Sequence, residues 1–309
     1  MKAMRDAWAE ALVETARDRA DVLLLDADTA NSTKADLFAK AYPERFFQMG
    51  IAEQNMVGAA VGLAHVGFVP WVATFAVFFT HRAVDQIRVS AAQTHASVKF
   101  AGAYAGLLTG LTGKTHQDVQ DLAIMRAMPG MTVLAPADEI ECAAAVRYAT
   151  ETPGPVYLRV ARDAVTPVFG ADYRFEPGRT HLLAEGRDLL LVSTGPQSVR
   201  CKEAAQLLAE RGVSAAVLHV PCLKPFDADD FVGKCLDFDL VVTVEEHTIY
   251  GGLGALVAEV LSERSPRRVL RWGIEDRWGE SAPNDYLLDA FGLSSGRLCE
   301  RVQKLVKRK

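Results

Sequence analysis

Apolar positions along the chain change period from one segment to the next. Trp8, Ala11, Leu12 and Ala16 fall on one face at helical spacing, so the chain opens with an amphipathic helix. The run Val22-Leu23-Leu24-Leu25 then ends in Asp26-Ala27-Asp28, a short apolar stretch bounded by polar turn residues, as in a buried parallel strand. Phe46–Met49 reads as a second strand. The helix after it, from Gln54 to about His65, carries Gly58, Ala59, Ala60, Gly62 and Ala64 and can approach a sheet closely. Strands are expected at Val69–Phe75, Val98–Tyr104, Thr132–Ala135 and Val156–Val160, and helices at Ala83–Ala92, Val119–Met128 and Ala137–Thr150. This alternation predicts an α/β domain with a mostly parallel sheet flanked by helices.

The pattern breaks between about Thr166 and Arg187, where Pro167, Pro177 and several glycines suit a linker. A second alternating unit follows. Its strands are Leu189–Ser193, Ala215–Val220, Leu240–Val244 and Val269–Trp272, and its helices are Val199–Arg211, Leu253–Glu263 and Asn284–Phe291. The expected division is residues 1–168, a linker over 169–186, and a second α/β domain over 187–309. A chain of 309 residues is also about twice the ~150 of a typical domain.

Composition narrows the function classes. The formal net charge is −5 with both signs spread along the chain, unlike the concentrated basic face of a nucleic-acid binder. The one basic run, Lys304, Lys307, Arg308 and Lys309, reads as a solvated helix end. No two of the five cysteines (Cys142, Cys201, Cys222, Cys235, Cys299) have C-x-x-C spacing, which points to buried thiols in a reducing compartment. There is no apolar signal core at the start and no bilayer-length apolar run, so a soluble cytoplasmic protein is expected.

Two segments imitate nucleotide motifs. Gly113-Lys114-Thr115 resembles the end of a P-loop, but position 108 is Leu where that motif needs glycine. Gly251-Gly252-Leu253-Gly254 lacks the third glycine of a dinucleotide fingerprint and reads as close helix–sheet packing.

A third set is ordered and specific. Asp26-Ala-Asp28 with Ser32-Thr33-Lys34 comes first, then Gly50-Ile-Ala-Glu53-Gln54-Asn55-Met56 and Thr74-Phe75 through Gln86. Thr115-His116-Gln117, Val133–Asp138, Glu245-Glu246-His247-Thr248 and Gly279-Glu280-Ser281-Ala282-Pro283 follow. Together they resemble the C-terminal half of the transketolase family, from about Met4 to about Leu293. The resemblance implies a pyrimidine-binding domain followed by a transketolase C-terminal-like domain. It also implies a thiamine diphosphate enzyme transferring a two-carbon ketol unit between sugar phosphates.

By that resemblance Glu53 is the catalytic glutamate. Taken alone it would be an acid in the first turn of a helix, stabilised by the helix dipole. In the family, a carboxyl here hydrogen-bonds the far ring nitrogen of the cofactor's aminopyrimidine and stabilises the imino form that activates the thiazolium carbon. Phe75, Phe78 and Phe79 are candidates for the pyrimidine pocket, where an aromatic neighbour favours a flat ring. Counting from Thr74 selects Phe78 as the stacking ring, and counting back from Ala83-Val84-Asp85-Gln86 selects Phe79; Phe78 is favoured. Arg82 falls near the cofactor or the subunit contact, and Asp28 lines the cofactor site. His116 matches the histidine that faces the substrate. Arg5, Ser32 and Arg162 match positions that hold the substrate's distal phosphate, which suits the planar fork of arginine.

Departures from the family pattern fall on substrate-reading positions. Gly110-Leu111-Thr112-Gly113 stands where Gly-Glu-Asp-Gly is usual, so Thr112 replaces an aspartate that reads a sugar hydroxyl. Lys114 adds a cation near the substrate channel, and Tyr104 replaces a histidine of the phosphate site. A branched, deoxy or sulfonated sugar is compatible with these changes.

Nothing in the chain looks like the segment that binds the divalent metal and the cofactor diphosphate. The resemblance therefore implies an N-terminal-half partner subunit holding Mg2+ or Ca2+, in an α2β2 heterotetramer. Three alternatives use the same chain differently: a 1-deoxyxylulose-5-phosphate synthase-like activity, a 2-oxo acid dehydrogenase beta-subunit-like activity, and a non-catalytic regulatory homologue.

Overall fold

The first helix, Met4–Arg17, buries Met4, Trp8, Ala11, Leu12 and Ala16 along one stripe. It packs on the helix Glu139–Glu151, and the two cover one face of a seven-stranded sheet. Full burial of each large apolar side chain there stabilises the fold by roughly 1.5–3 kcal/mol. The computed structural model describes residues 1–307, so Arg308 and Lys309 of the basic tail lie outside the described residues.

Among the described residues, twelve strands run in chain order as β1 Val22–Asp26, β2 Phe46–Gln48, β3 Val69–Phe75, β4 Lys99–Ala103, β5 Thr132–Leu134, β6 Val156–Val160, β7 His181–Ala184, β8 Leu189–Ser193, β9 Ala215–His219, β10 Cys222–Lys224, β11 Leu240–Thr248 and β12 Arg268–Ile274. The first sheet has the order β10-β5-β6-β4-β3-β1-β2 and the second β12-β11-β8-β9-β7. All pairings are parallel except β10 with β5 and β7 with β9. The fold class is thus two α/β units with predominantly parallel sheets, as the hydrophobic pattern predicts.

Two short strands depart from the sequence pattern. β7 lies within the stretch read as linker and forms the antiparallel edge of the second sheet. β10 leaves the second unit and extends the first sheet. Helices at Ala76–His81, Ala228–Cys235 and Ser295–Val306 are further additions. The helix read over Ala83–Ala92 is a short α segment, Val84–Gln86, running into a π-helical turn at Ile87–Ala92.

The two units share a core. Leu25, Met56, Phe79, Phe100 and Met125 are continuous with Leu190, Leu218, Val241 and Leu253. Trp8, Leu12, Phe38, Trp71 and Leu158 fill the opposite face of the first sheet. All five cysteines are buried free thiols, and burial pushes Cys201, Cys222 and Cys235 up to about 12. Among the described residues, no helix is long and apolar enough to cross a membrane.

Candidate active site

Because β1, β2, β3, β4 and β6 are parallel, their carboxyl ends meet along one edge, where open α/β sheets bind ligands. Asp28 and Ser32 follow β1, Glu53 follows β2, Phe75 ends β3, Tyr104 follows β4 and Arg162 follows β6. Two of these residues, Asp28 (φ 62°) and Tyr104 (φ 57°), hold left-handed backbone conformations. Such conformations in non-glycine residues cluster at functional sites.

The turn after β1 is built by Asp26. Its buried carboxylate accepts the Thr29 N–H at 2.7 Å and the Thr29 hydroxyl at 3.1 Å. Burial pushes this carboxyl above its ordinary range, against the pull of those hydrogen bonds. Gln48 Oε1 accepts the Asp28 N–H at 2.9 Å and the Gly50 N–H at 3.0 Å. Asp28 is thereby presented at the surface by Asp26, to which the motif reading gave no role, and by Gln48, which lies outside the motifs.

Glu53 opens the helix Glu53–His65 and is 3% exposed. Its Oε1 accepts from Arg82 at 2.9 Å. The Arg82 guanidinium in turn sits 3.9 Å above the centre of the Phe78 ring. Arg82 is tied down by its own carbonyl, which accepts from Gln54 Nε2 at 2.9 Å.

Phe78, Phe75 and Tyr104 form a stack. Phe78 and Phe75 are parallel within 3° at 5.8 Å, and Phe75 and Tyr104 lie at 4.4 Å and 13°. His116 meets Phe75 and Phe78 edge-on, at 5.7 and 5.5 Å. Its Nδ1 is engaged by the Thr115 hydroxyl at 2.9 Å. Phe79 is turned the other way, fully buried in the core against Phe100.

At the far end of the stack, Arg5 and Arg162 lie 5.6 and 5.3 Å from the Tyr104 ring centre. Arg5 donates to the Tyr104 hydroxyl and, at 3.1 Å, to the Ser32 carbonyl. Arg162 donates to the Thr109 carbonyl at 3.2 Å. The site therefore has a carboxylate at one end, two guanidiniums at the other, and an aromatic wall with an imidazole between them. Thr112 and Lys114 are exposed on the same loop as His116, and the Thr112 hydroxyl donates to the Thr109 carbonyl at 3.0 Å.

Both nucleotide look-alikes resolve as structure. Gly113-Lys114-Thr115 follows a single 3-10 turn, and the next helix begins only at Asp121. At Gly251–Gly254 the amides of Leu253 and Gly254 donate to the buried Glu245 carboxylate, each at 2.8 Å. The helix N-terminus thus carries its own anion. His247 is fully buried, bonded to the Thr248 carbonyl through Nδ1 and accepting from Ala123 N.

Residues 1–167 match the family model for the transketolase pyrimidine binding domain, and residues 178–298 match that for the transketolase C-terminal domain. The chain belongs to the transketolase family. It is 38% identical to a transketolase C-terminal section of Methanocaldococcus jannaschii, over 99% of this chain and 97% of that one. A 6-deoxy-6-sulfo-D-fructose transketolase subunit of Clostridium sp. (strain MSTE9) is 35% identical, over 99% and 95%. Among solved structures, a split gene transketolase described as an inactive beta4 tetramer superposes with a TM-score of 0.89 at 44% identity, covering 98% of this chain and 97% of that one.

Proposed function

We propose that this chain is the pyrimidine-side subunit of a split transketolase, transferring a two-carbon ketol unit between sugar phosphates once an N-terminal-half subunit supplies the diphosphate and metal site. The observation that carries the proposal is the position of Glu53. It is a buried carboxylate in the first turn of a helix, at the carboxyl edge of the sheet, joined through Arg82 to the Phe78 ring. These residues fit the aminopyrimidine half of thiamine diphosphate: a hydrogen-bonding carboxyl for the ring nitrogen and an aromatic surface for its face. When bound, the cofactor supplies a nucleophilic thiazolium carbon that makes and breaks the bond beside a ketone.

In this account Glu53 exchanges a proton with the pyrimidine nitrogen. Phe78 and Phe75 orient the ring and exclude water, with Asp28 and Arg82 at the margin of the same pocket. Phe79 supports Phe78 from the core. His116 holds or moves a proton at the sugar hydroxyl or carbonyl through its Nε2. Arg5, Arg162, Ser32 and Tyr104 bind the distal anionic group, and two guanidiniums favour a phosphate or another strongly acidic group there. Thr112 and Lys114 face the substrate from the loop and distinguish sugars.

The split arrangement is supported by relatives of nearly the same length as this chain. The proposed active unit is an α2β2 assembly with cofactor sites between subunits and Mg2+ or Ca2+ held by the partner. The test is to assay ketol transfer by this chain alone and with an N-terminal-half subunit. Activity only in the mixture supports the split enzyme. Transfer by the isolated chain contradicts it.

A further inference from the structure

The loop that carries Thr112, Lys114 and His116 runs from Tyr104 to Gln120, between β4 and the helix Asp121–Ala127. Such a long connection needs external support to hold an imidazole in place. Much of that support comes from the second domain, far away in sequence. Glu246 Oε1 accepts the amide hydrogens of Leu107 at 2.8 Å and Leu108 at 3.2 Å. A Cβ on Gly106, which has φ 86°, would lie 2.2 Å from the same oxygen, so only glycine allows this approach. Asn284 Nδ2 donates to the Leu108 carbonyl at 3.3 Å and to Asp163, beside Arg162, at 2.7 Å. Ser281 donates to the Leu111 carbonyl at 2.5 Å. Gln117, next to His116, ties the Leu107 carbonyl to the Glu280 carbonyl, both at 3.0 Å.

Glu246 is itself fixed. It is 5% exposed, and Arg200 lies 3.7 Å from its second oxygen. Its backbone carbonyl accepts from Arg159 at 2.9 Å, and Arg159 pairs with the buried Asp121 at 2.8 Å. A carboxyl acceptor buried among such partners is a rigid anchor, and two loop amides would be orphaned without it.

We infer that Glu246, with Asn284, is a positioning residue supplied by the second domain, which sets the loop so that His116 faces the substrate; this rests on the transketolase reading of the site. The second domain then contributes to turnover through the loop rather than through the cofactor pocket.

The test compares Glu246→Ala, Glu246→Gln and Asn284→Ala, alone and with His116→Ala, in the complex reconstituted with the N-terminal-half subunit. Misplacing a catalytic group by about an ångström lowers kcat/KM roughly 10- to 100-fold, the loss expected for Glu246→Ala. Thiamine diphosphate affinity is expected to stay unchanged. Glu246→Gln restores most of the activity, because an amide oxygen still accepts both loop amides. In the His116→Ala background Glu246→Ala has no further effect, since residues acting through one group are not additive. Asn284→Ala, less buried, shows the same pattern and covers the case in which Glu246→Ala does not fold. Unchanged activity, or an equal loss with and without His116, overturns the inference. A wild-type complex without ketol transfer would overturn the proposed function instead. Amide exchange of residues 107–116 then decides this inference: exchange as slow in Glu246→Ala as in the wild type overturns it.

Discussion

Arg82 links the two groups proposed to hold the cofactor's pyrimidine: it donates to Glu53 at 2.9 Å and lies 3.9 Å over the Phe78 ring. The guanidinium satisfies a carboxylate and an aromatic face at once. Those are the same two surfaces assigned above to the pyrimidine, so ring and guanidinium compete for them. The cation–π contact is worth about 0.5–1 kcal/mol at an exposed site, and a half-exposed ion pair adds at most about 1 kcal/mol. Arg82→Gln is therefore expected to tighten thiamine diphosphate binding about 3- to 30-fold, read by calorimetric titration of the complex. Weaker binding would make Arg82 a direct cofactor contact.

The opposite end of the aromatic stack predicts a different kinetic signature. Arg162 lies beside Tyr104 with Arg5 on the same ring, the arrangement proposed to hold an anion at the distal end of the substrate. A hydrogen bond to a charged group contributes about 1.5–3 kcal/mol, so Arg162→Ala should raise KM for a phosphorylated sugar about 10- to 100-fold. Its kcat should change little, and an unphosphorylated analogue should be insensitive to the substitution. Equal losses with both substrates would remove Arg162 from the anion site.

A buried chain of polar groups joins the two domains and makes a pH prediction. Glu141 accepts from His219 at 2.7 Å, from the Tyr173 hydroxyl at 2.6 Å and from the Ala137 amide at 2.6 Å, and Ser198 engages the other nitrogen of His219 at 2.7 Å. Burial alone would push the Glu141 carboxyl up, but His219 and these hydrogen bonds more than offset it and hold it below the usual glutamate range. Between the folded and unfolded pKa values the unfolded chain binds the extra proton, so stability rises with pH there. The contribution is complete above about pH 4.3, the unperturbed glutamate value, and is lost as pH falls through the lower folded value. Glu141→Gln should cost about 3 kcal/mol near neutral pH, with a gap to the wild type that narrows in acid. Denaturant midpoints from neutral to acid pH measure this, and a constant gap would contradict it.

Phe78 and Phe79 show where the sequence stops deciding. They are adjacent on the helix Ala76–His81, so their side chains point about 100° apart, yet two alignments choose differently between them. The fold places Phe78 beside Phe75 and His116 and sends Phe79 to Phe100, a choice made by core packing. Strands with several apolar residues, such as Val22–Asp26 and Val156–Val160, were legible because both faces are buried. β7 and β10 were not, since a three- or four-residue antiparallel edge carries too little periodicity. Glu53, Arg82 and His116 stood out through ordered motifs, and Arg5 and Arg162 only through their matching positions in the family resemblance. Glu246 was visible only as part of a motif, because the amide it holds lies 139 residues away and no local pattern records that contact.

The most direct measurement of the central claim is ketol transfer by the reconstituted complex carrying Glu53→Gln. An amide in place of the carboxyl keeps the shape of the side chain but removes its exchangeable proton. Proton transfer by a positioned side chain contributes about 100- to 10,000-fold, and a loss of that size, with the complex still assembled and binding cofactor, is the predicted result. Turnover equal to that of the wild type would contradict the assignment of Glu53 and, with it, the reading of this chain as the catalytic-glutamate half of a split transketolase.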